Sequence, residues 1–273
     1  MSAAVADILR IRRGDPALVR VEPGQVRIEI EAGAEATVVE RHTHANEQAS
    51  TEINVARGAI LRHIVWQAVP VDAKHEHKVN ARVAGVLQAH LLAFGGGFAR
   101  VDFAAELEEH GELDAYGLML GRGTQKQDNR TVITHAQPNS KSRQLWKSLL
   151  DDKATAIFDG LIRVRAGAMK TDASQQNKNL LLSKDAGVLS KPHLEIFADD
   201  VKCAHGSTTG QLSEDALFYL RARGIDEKTA RGMLADGFAR EILESIAAES
   251  VRGEALAALS AWLLGGDRDG GVA

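Results

Sequence analysis

The chain has 273 residues, 44% of them hydrophobic and 26% charged, with 33 Lys and Arg against 37 Asp and Glu for a formal net charge of −4. That length can bury a substantial core and hold one large domain plus a smaller one, while the charge balance gives no support to an electrostatically driven nucleic-acid binder. Its single cysteine, Cys203, excludes an intramolecular disulfide framework, a zinc ribbon and a self-contained four-cysteine cluster site, and it fits a reducing compartment.

The opening residues, MSAAVADILRIRRGD, contain no apolar stretch of signal-peptide length. The longest apolar stretch, AGVLQAHLLAFGGGFA, is interrupted by Gln88, His90 and a glycine triplet, which makes it a poor membrane span. A cytoplasmic protein with neither a nucleic-acid nor a membrane partner is expected. Residues 1–24 read as a lead segment. From there to residue 212 the chain is a series of short apolar runs with few helix signals. QVRIEIEAG sets the pattern: Val26, Ile28 and Ile30 face one way and Arg27, Glu29 and Glu31 the other, the period of a half-buried strand. EATVVE, ILRHIVW, KVNARVAGVL, RTVITHA, TAIFDGLIRVRAG and HLEIFADDVKCAHG follow, punctuated by Gly, Asn and Asp. So many short strands predict a sandwich, a barrel or a stacked solenoid. The absence of Asn-Gly hairpin signals leans toward the solenoid, with no fixed motif from rung to rung.

Histidines recur along these strands. VVERHTHANE carries His42 and His44, and KHEHK carries His75 and His77. His-x-His is a genuine two-ligand geometry, but the charged flanks predict a solvated loop or strand edge for both. The triplet Gly95, Gly96 and Gly97 lacks the lysine and hydroxyl of a phosphate loop and reads as a turn. Near the end of the series, Cys203 and His205 share one face of a strand with Asp199 and Val201. Same-face neighbours lie roughly 6.6 Å apart, too far for a thiolate–imidazole dyad. Both could reach one metal ion, but two donors do not complete a tetrahedral site. Read alone, Cys203 is a small buried hydrophobe and His205 a satisfied polar group beside it. No nucleophile elbow, zinc helix or dinucleotide fingerprint is present.

After residue 212 the pattern turns helical. Ser213 caps a helix with Glu214 and Asp215 in its first turn, Gly224 ends it, and Asp226 caps a second in which Leu234, Phe238, Ile242 and Ile246 recur every four residues. A third apolar segment, GEALAALSAWLLGG, completes a helical domain over residues 213–266, and residues 267–273 read as a frayed tail. Such a domain reads as a cap closing the end of the β-region, as a docking module for a partner, or as both.

Two long stretches carry a resemblance. ADDVKCAHGSTTGQLSEDALFYLRARGI and the upstream DNRTVITHAQPNSKSRQLWKSLLDDKATAIFDGLIRVRAGAMKTDASQQNKNLLLS closely resemble the SufD branch of the SufB/SufD family of the SUF iron–sulfur cluster assembly machinery. The similarity is strong from about residue 128 to 246 and looser back to about residue 25. It implies a mainly β protein, a right-handed parallel β-helix core over residues 25–212 followed by the small α-helical domain. It implies a non-enzymatic scaffold that pairs with a SufB-like subunit and docks a SufC-like ATPase through about residues 213–250, with Phe218, Tyr219, Leu234 and Phe238 as the docking residues. In the family, the nascent cluster is placed at the SufB–SufD interface. There the histidine of the Lys-Cys-x-His-Gly motif, matched by His205, acts with a cysteine of SufB as a shared metal donor, and Cys203 matches the motif's cysteine. The cluster is then a transient passenger of the complex rather than a group held by this chain, and a flavin in the complex stays open. Family members usually carry a helical domain ahead of the β-core. Its apparent lack here reads as a truncation, a late start codon or a naturally short form. Two rivals stand beside the scaffold. One is a stand-alone β-solenoid enzyme, carbohydrate-active or acyl-transferring, against which 4% aromatic residues argue; the other is a homodimer.

Overall fold

The computed structural model describes residues 7–45 and 47–265, so the tail expected at 267–273 lies outside the described residues. Sixteen strands are followed by three helices. Odd-numbered strands form one parallel sheet, β1(Asp7–Ile11), β3(Gln25–Ile30), β5(Glu47–Val55), β7(Lys74–Val83), β9(Phe98–Leu107), β11(Lys126–His135), β13(Thr155–Val164) and β15(Gly187–Ile196), each hydrogen-bonded to the next. Even-numbered strands form the other, β2(Leu18–Val21), β4(Glu35–His42), β6(Ile60–Gln67), β8(Val86–Ala93), β10(Glu112–Gly121), β12(Lys141–Leu150), β14(Asp172–Leu181) and β16(Lys202–Gln211). The chain therefore winds as a parallel β-solenoid with one strand of each sheet per turn, as the resemblance implied. The first turn is already built by β1 and β2, which pair with β3 and β4, so the solenoid begins inside the segment read as a lead.

Side chains of matching register stack along the axis. In the odd sheet one interior row runs Ile28, Ile53, Ala81, Ala105, Ile133, Ile162 and Leu194. In the even sheet the equivalent row runs Val38, His63, Ala89, Ala115, Gln144, Gln175 and His205. Turns vary from 19 residues (Asp7 to Val26) to 32 (Thr155 to Gly187), the difference being taken up at the corners. The glycine triplet is one such corner, between β8 and β9. A Cβ at Gly95 would lie 2.3 Å from the Val69 carbonyl oxygen, and Gly96 has φ of +80°, so close approach and a left-handed backbone explain two of the three.

α1(Glu214–Ala222) and α2(Glu227–Glu244) start as the sequence predicts, whereas α3(Glu249–Leu263) starts one turn ahead of the apolar segment that opens at Gly253. The Ser213 hydroxyl accepts from the Ala216 amide at 3.2 Å, and the Asp226 carboxylate accepts from the Thr229 amide at 3.0 Å. Gly224, at φ +84°, follows the first helix. The helices do not close the end of the solenoid. α2 packs on β10 and β12, and its Ala235, Ala239, Ile242 and Leu243 bury Ile64, Trp66, Leu92, Leu118, Leu120 and Leu149 on the outer face of the even sheet. The end-cap expectation is therefore corrected: a sheet face rich in Leu offers more apolar area than a single edge does.

Lys147 of β12 anchors this packing. Its buried ammonium donates to the Phe238 carbonyl at 2.6 Å and to Glu241 at 2.5 Å, and lies 4.5 Å from the centre of the Phe238 ring. Burial lowers its pKa, and Glu241 opposes that shift. Lys147→Ala removes charge-assisted bonds but also a buried charge, so a net loss of about 1–3 kcal/mol is expected. Hydrogen exchange should show α2 losing protection before the strands do, and unchanged protection of α2 would refute the anchoring role.

Candidate functional site

The last turn of the solenoid is open. β15 and β16 are the terminal strands of the two sheets, each ten residues long and paired on one side only among the described residues. Cys203, His205, Ser207 and Thr209 continue the interior rows of β14, in register with Ala173, Gln175, Asn177 and Asn179. In β14 those four positions are buried, whereas in β16 only Cys203 is even half-buried, because no further rung covers them. Exposed Leu189, Ile196 and Phe197 accompany this end on the other sheet. Ser207 hydroxyl donates to Ser190 Oγ across the two sheets at 2.8 Å, so what faces solvent here is the solenoid's interior.

Within this end the two motif residues differ. Cys203 packs with Leu194, Ala198 and Val201 against the cluster of Ile162, Val164, Ala168 and Ala173. Burial pushes its thiol up, Asp172 adds to this, and a backbone bond to Ala173 partly offsets it. A thiol so placed is a poor thiolate at neutral pH. His205 is exposed on the same face of the strand. Asp199 and Val201 do not share the strand, because β16 starts at Lys202 and Asp200 turns with φ +54°.

The four docking residues also separate. Phe218 and Tyr219 are 75% and 57% exposed. Leu234 and Phe238 are half-buried against the solenoid-facing core, as their spacing with the fully buried Ile242 and Ile246 requires.

A second constellation departs from the sequence expectation. His42, His75 and His77 are fully buried rather than solvated, and only His44 is exposed, in the loop after β4. The signal was present: in KHEHKVNARV, His75 and His77 are in phase with the buried Val79, Ala81 and Val83, and the charged flanks occupy the opposite face. Glu40 and His42 likewise fall in phase with Ala36 and Val38 on β4. The Glu40 carboxylate lies 2.5 Å from His63 Nε2 and accepts from the Thr51 hydroxyl at 2.9 Å. Burial alone would raise its pKa, but the hydrogen bond to His63 and the attraction of His63, His77 and His42 together outweigh burial and hold it at about 2. Burial lowers His75 to about 3, with His42 adding to the shift. His77 also falls to about 3 by burial, with Glu40 opposing. Both imidazoles are therefore neutral at physiological pH.

Comparison with known proteins decides the family. The SufBD core domain of the SUF system for iron–sulfur cluster assembly matches residues 16–238. The chain belongs to the SufBD family. It is similar to the iron-sulfur cluster assembly protein SufD of Escherichia coli, 36% identical across 88% of this chain and 59% of that protein. It also resembles a SufBD family protein of Synechocystis (32% identical, 88% of this chain, 56% of the relative) and the chloroplastic protein ABCI7 of Arabidopsis thaliana (31%, 85% and 51%). The chain thus spans between half and three-fifths of the length of these relatives. The SufBD match begins just ahead of β2 and ends within α2, covering β2 to β16, α1 and the first part of α2.

Proposed function

We propose that this SufBD protein is a non-enzymatic scaffold subunit for iron–sulfur cluster assembly. It would pair across the open solenoid end with a SufB-like subunit, and dock a SufC-like ATPase through its helical domain. The observation that carries this is the open end itself. Two ten-residue parallel edges with an uncovered interior row would be an aggregation hazard in a lone chain. A partner of the same fold would extend both sheets and bury that row. His205 then lies at the joint as an accessible nitrogen donor, while the half-buried Cys203 serves packing first. Donors pooled from two chains can complete a cluster site that neither holds alone, with the cluster as cargo. The name carried by the Escherichia coli relative, iron-sulfur cluster assembly protein SufD, supports the same role.

The outer face of the odd sheet offers little to the rival enzyme reading. It is laced by cross-strand ion pairs such as Arg163–Glu195 at 2.7 Å and Arg165–Glu106 at 2.8 Å, the dress of a solvated surface.

The test is reconstitution with SufB and SufC. His205→Ala should assemble normally yet lower cluster yield by about tenfold or more, the scale of losing one contributor to a metal site. Phe218→Asp with Tyr219→Asp should weaken retention of SufC, since buried aromatic anchors each contribute about 2 kcal/mol or more at interfaces. Leu234 and Phe238 are unsuitable for that test because they also pack the domain itself. Normal cluster yield from His205→Ala would remove it from the site, and sizing the chain alone and with SufB separates hetero-pairing from a second copy on the same edges.

A further inference from the structure

We propose that His42, His75 and His77 form an internal binding site for a divalent transition-metal ion of the zinc or ferrous type. The site lies in the early turns of the solenoid. β7, which carries two of these histidines, is separated from β15 by four strand spacings in the sheet order, about 19 Å, so the site is distinct from the open end.

Two strands bring the rings together. His42 ends β4, and His75 and His77 open β7. Ring centres lie 4.6 Å apart for His42 and His75 and 4.7 Å for His42 and His77. One nitrogen from each of the three falls within 4.8 Å of the others. Around a tetrahedral ion with bonds of about 2.0–2.1 Å, nitrogen donors sit about 3.3 Å apart, so small ring rotations close the set. Such rotations are affordable at strand ends beside a corner.

The hydrogen bonding points the same way. Both ring nitrogens of His75, and Nδ1 of His77, are buried without a hydrogen-bond partner among the described residues. Buried polar atoms are nearly always paired, and Ala99 in register with His75, and Ala49 and Val101 in register with His77, show that small apolar side chains fill the adjoining positions. Glu40 supplies the compensating negative charge, its carboxylate 3.6 Å from His77 Nε2 and 3.9 Å from His42 Nε2. His63 and Thr51 in turn hold that carboxylate, an outer shell of the kind that orients ligands around a metal. Three imidazole donors with a nearby carboxylate suit borderline ions rather than calcium or magnesium, which favour oxygen.

The experiment uses the full chain, stripped with chelator and loaded anaerobically with Zn²⁺, Fe²⁺ or Co²⁺, then desalted. Elemental analysis should find one ion retained per chain, and Co²⁺ should show the intense visible bands of a low-symmetry nitrogen site. His75→Ala and His75→Gln should each weaken retention by about tenfold or more, while the exposed-site control His110→Ala should not. Wild type should also gain thermal stability on loading, a gain absent from both His75 variants. Retention of no ion by wild type, as when ordered water bridges the rings instead, overturns the proposal even if a variant fails to fold. So does equal retention by wild type and a folded His75 variant. Cluster assembly is not a readout, so this result and that for His205 can fail independently.

Discussion

Trp146→Ala should lower stability by about 3–5 kcal/mol, the range for deleting a large aromatic from a sealed core, and the thermal midpoint by roughly 6–20 °C. Trp146 is fully buried on β12, and its ring lies 5.5 Å from that of Phe158. Its indole N–H donates to Gln144 Oε1 at 3.2 Å. The neighbouring strand makes room for it with a glycine. Gly117 is in register with Trp146, and a Cβ there would sit 2.0 Å from the indole Cε3. Gly117→Ala therefore forces the ring or the strand to move, at about 1–3 kcal/mol. Because both losses arise at one contact, they should not add. In a Trp146→Leu background the alanine at 117 should cost far less than in wild type, a coupling that a double-mutant cycle reads directly. Additive losses would show that the glycine is present for another reason, and a midpoint shift below about 2 °C for Trp146→Ala would contradict the packing account altogether.

Acid should destabilise the protein well before its carboxylates titrate. His90 and His135 are both buried, and burial lowers each to about 4, with Asp172 partly opposing the shift at His135. His135 sits between the Ser140 and Ser142 hydroxyls at 2.8 and 2.9 Å, and His90 faces Ser245 at 2.8 Å with its ring stacked on Tyr116. Above pH 6.5 both are neutral in the folded and unfolded chain, so neither affects the balance. As pH falls from about 6.5 toward 4, the unfolded chain takes up protons that the folded one refuses, and stability is lost. Below about 4 the folded state binds them too, and the loss levels off. Each histidine can contribute up to about 3 kcal/mol over that window, comparable in sum to the lower end of a domain's whole stability. Urea midpoints at pH 7.5 and 4.5 should therefore differ strongly in wild type and distinctly less in His90→Gln and His135→Gln. Equal pH dependence in all three proteins would rule the two histidines out as the cause. Because His90 meets Ser245 beyond the end of α2, its protonation should also loosen the helical domain from the sheet.

Much of this architecture is written in short-range patterns. Val26, Ile28 and Ile30 alternate because β3 has one dry face and one wet face, and the structure places them inside. The even strands depart from alternation in their second halves, as in HLLA of β8 and LMLG of β10, where both faces are buried. That departure marks the sheet beneath the helices. Likewise the phase of His75 and His77 with Val79 outweighs the polarity of their neighbours, since successive residues of a strand point to opposite faces. Leu234 and Phe238 recur with Ile242 and Ile246 every four residues, a spacing that by itself cannot say which surface the helix covers.

The sequence by itself determined the strand-rich series, the switch to helices at Ser213 with its caps and terminating glycine, and the lone thiol that cannot hold a cluster. Through long stretches of resemblance it also carried the family. Those are local or compositional properties, set by backbone periodicity, capping chemistry and residue counts. Only the tertiary structure decided that the helices lie along the sheet, that His205 ends an interior row left uncovered, and that three histidines from β4 and β7 meet in the dark. Each of these depends on register between strands 19 to 32 residues apart. A period-two pattern is the same in every register of matching parity, so stacking partners emerge only when the whole solenoid closes on its core.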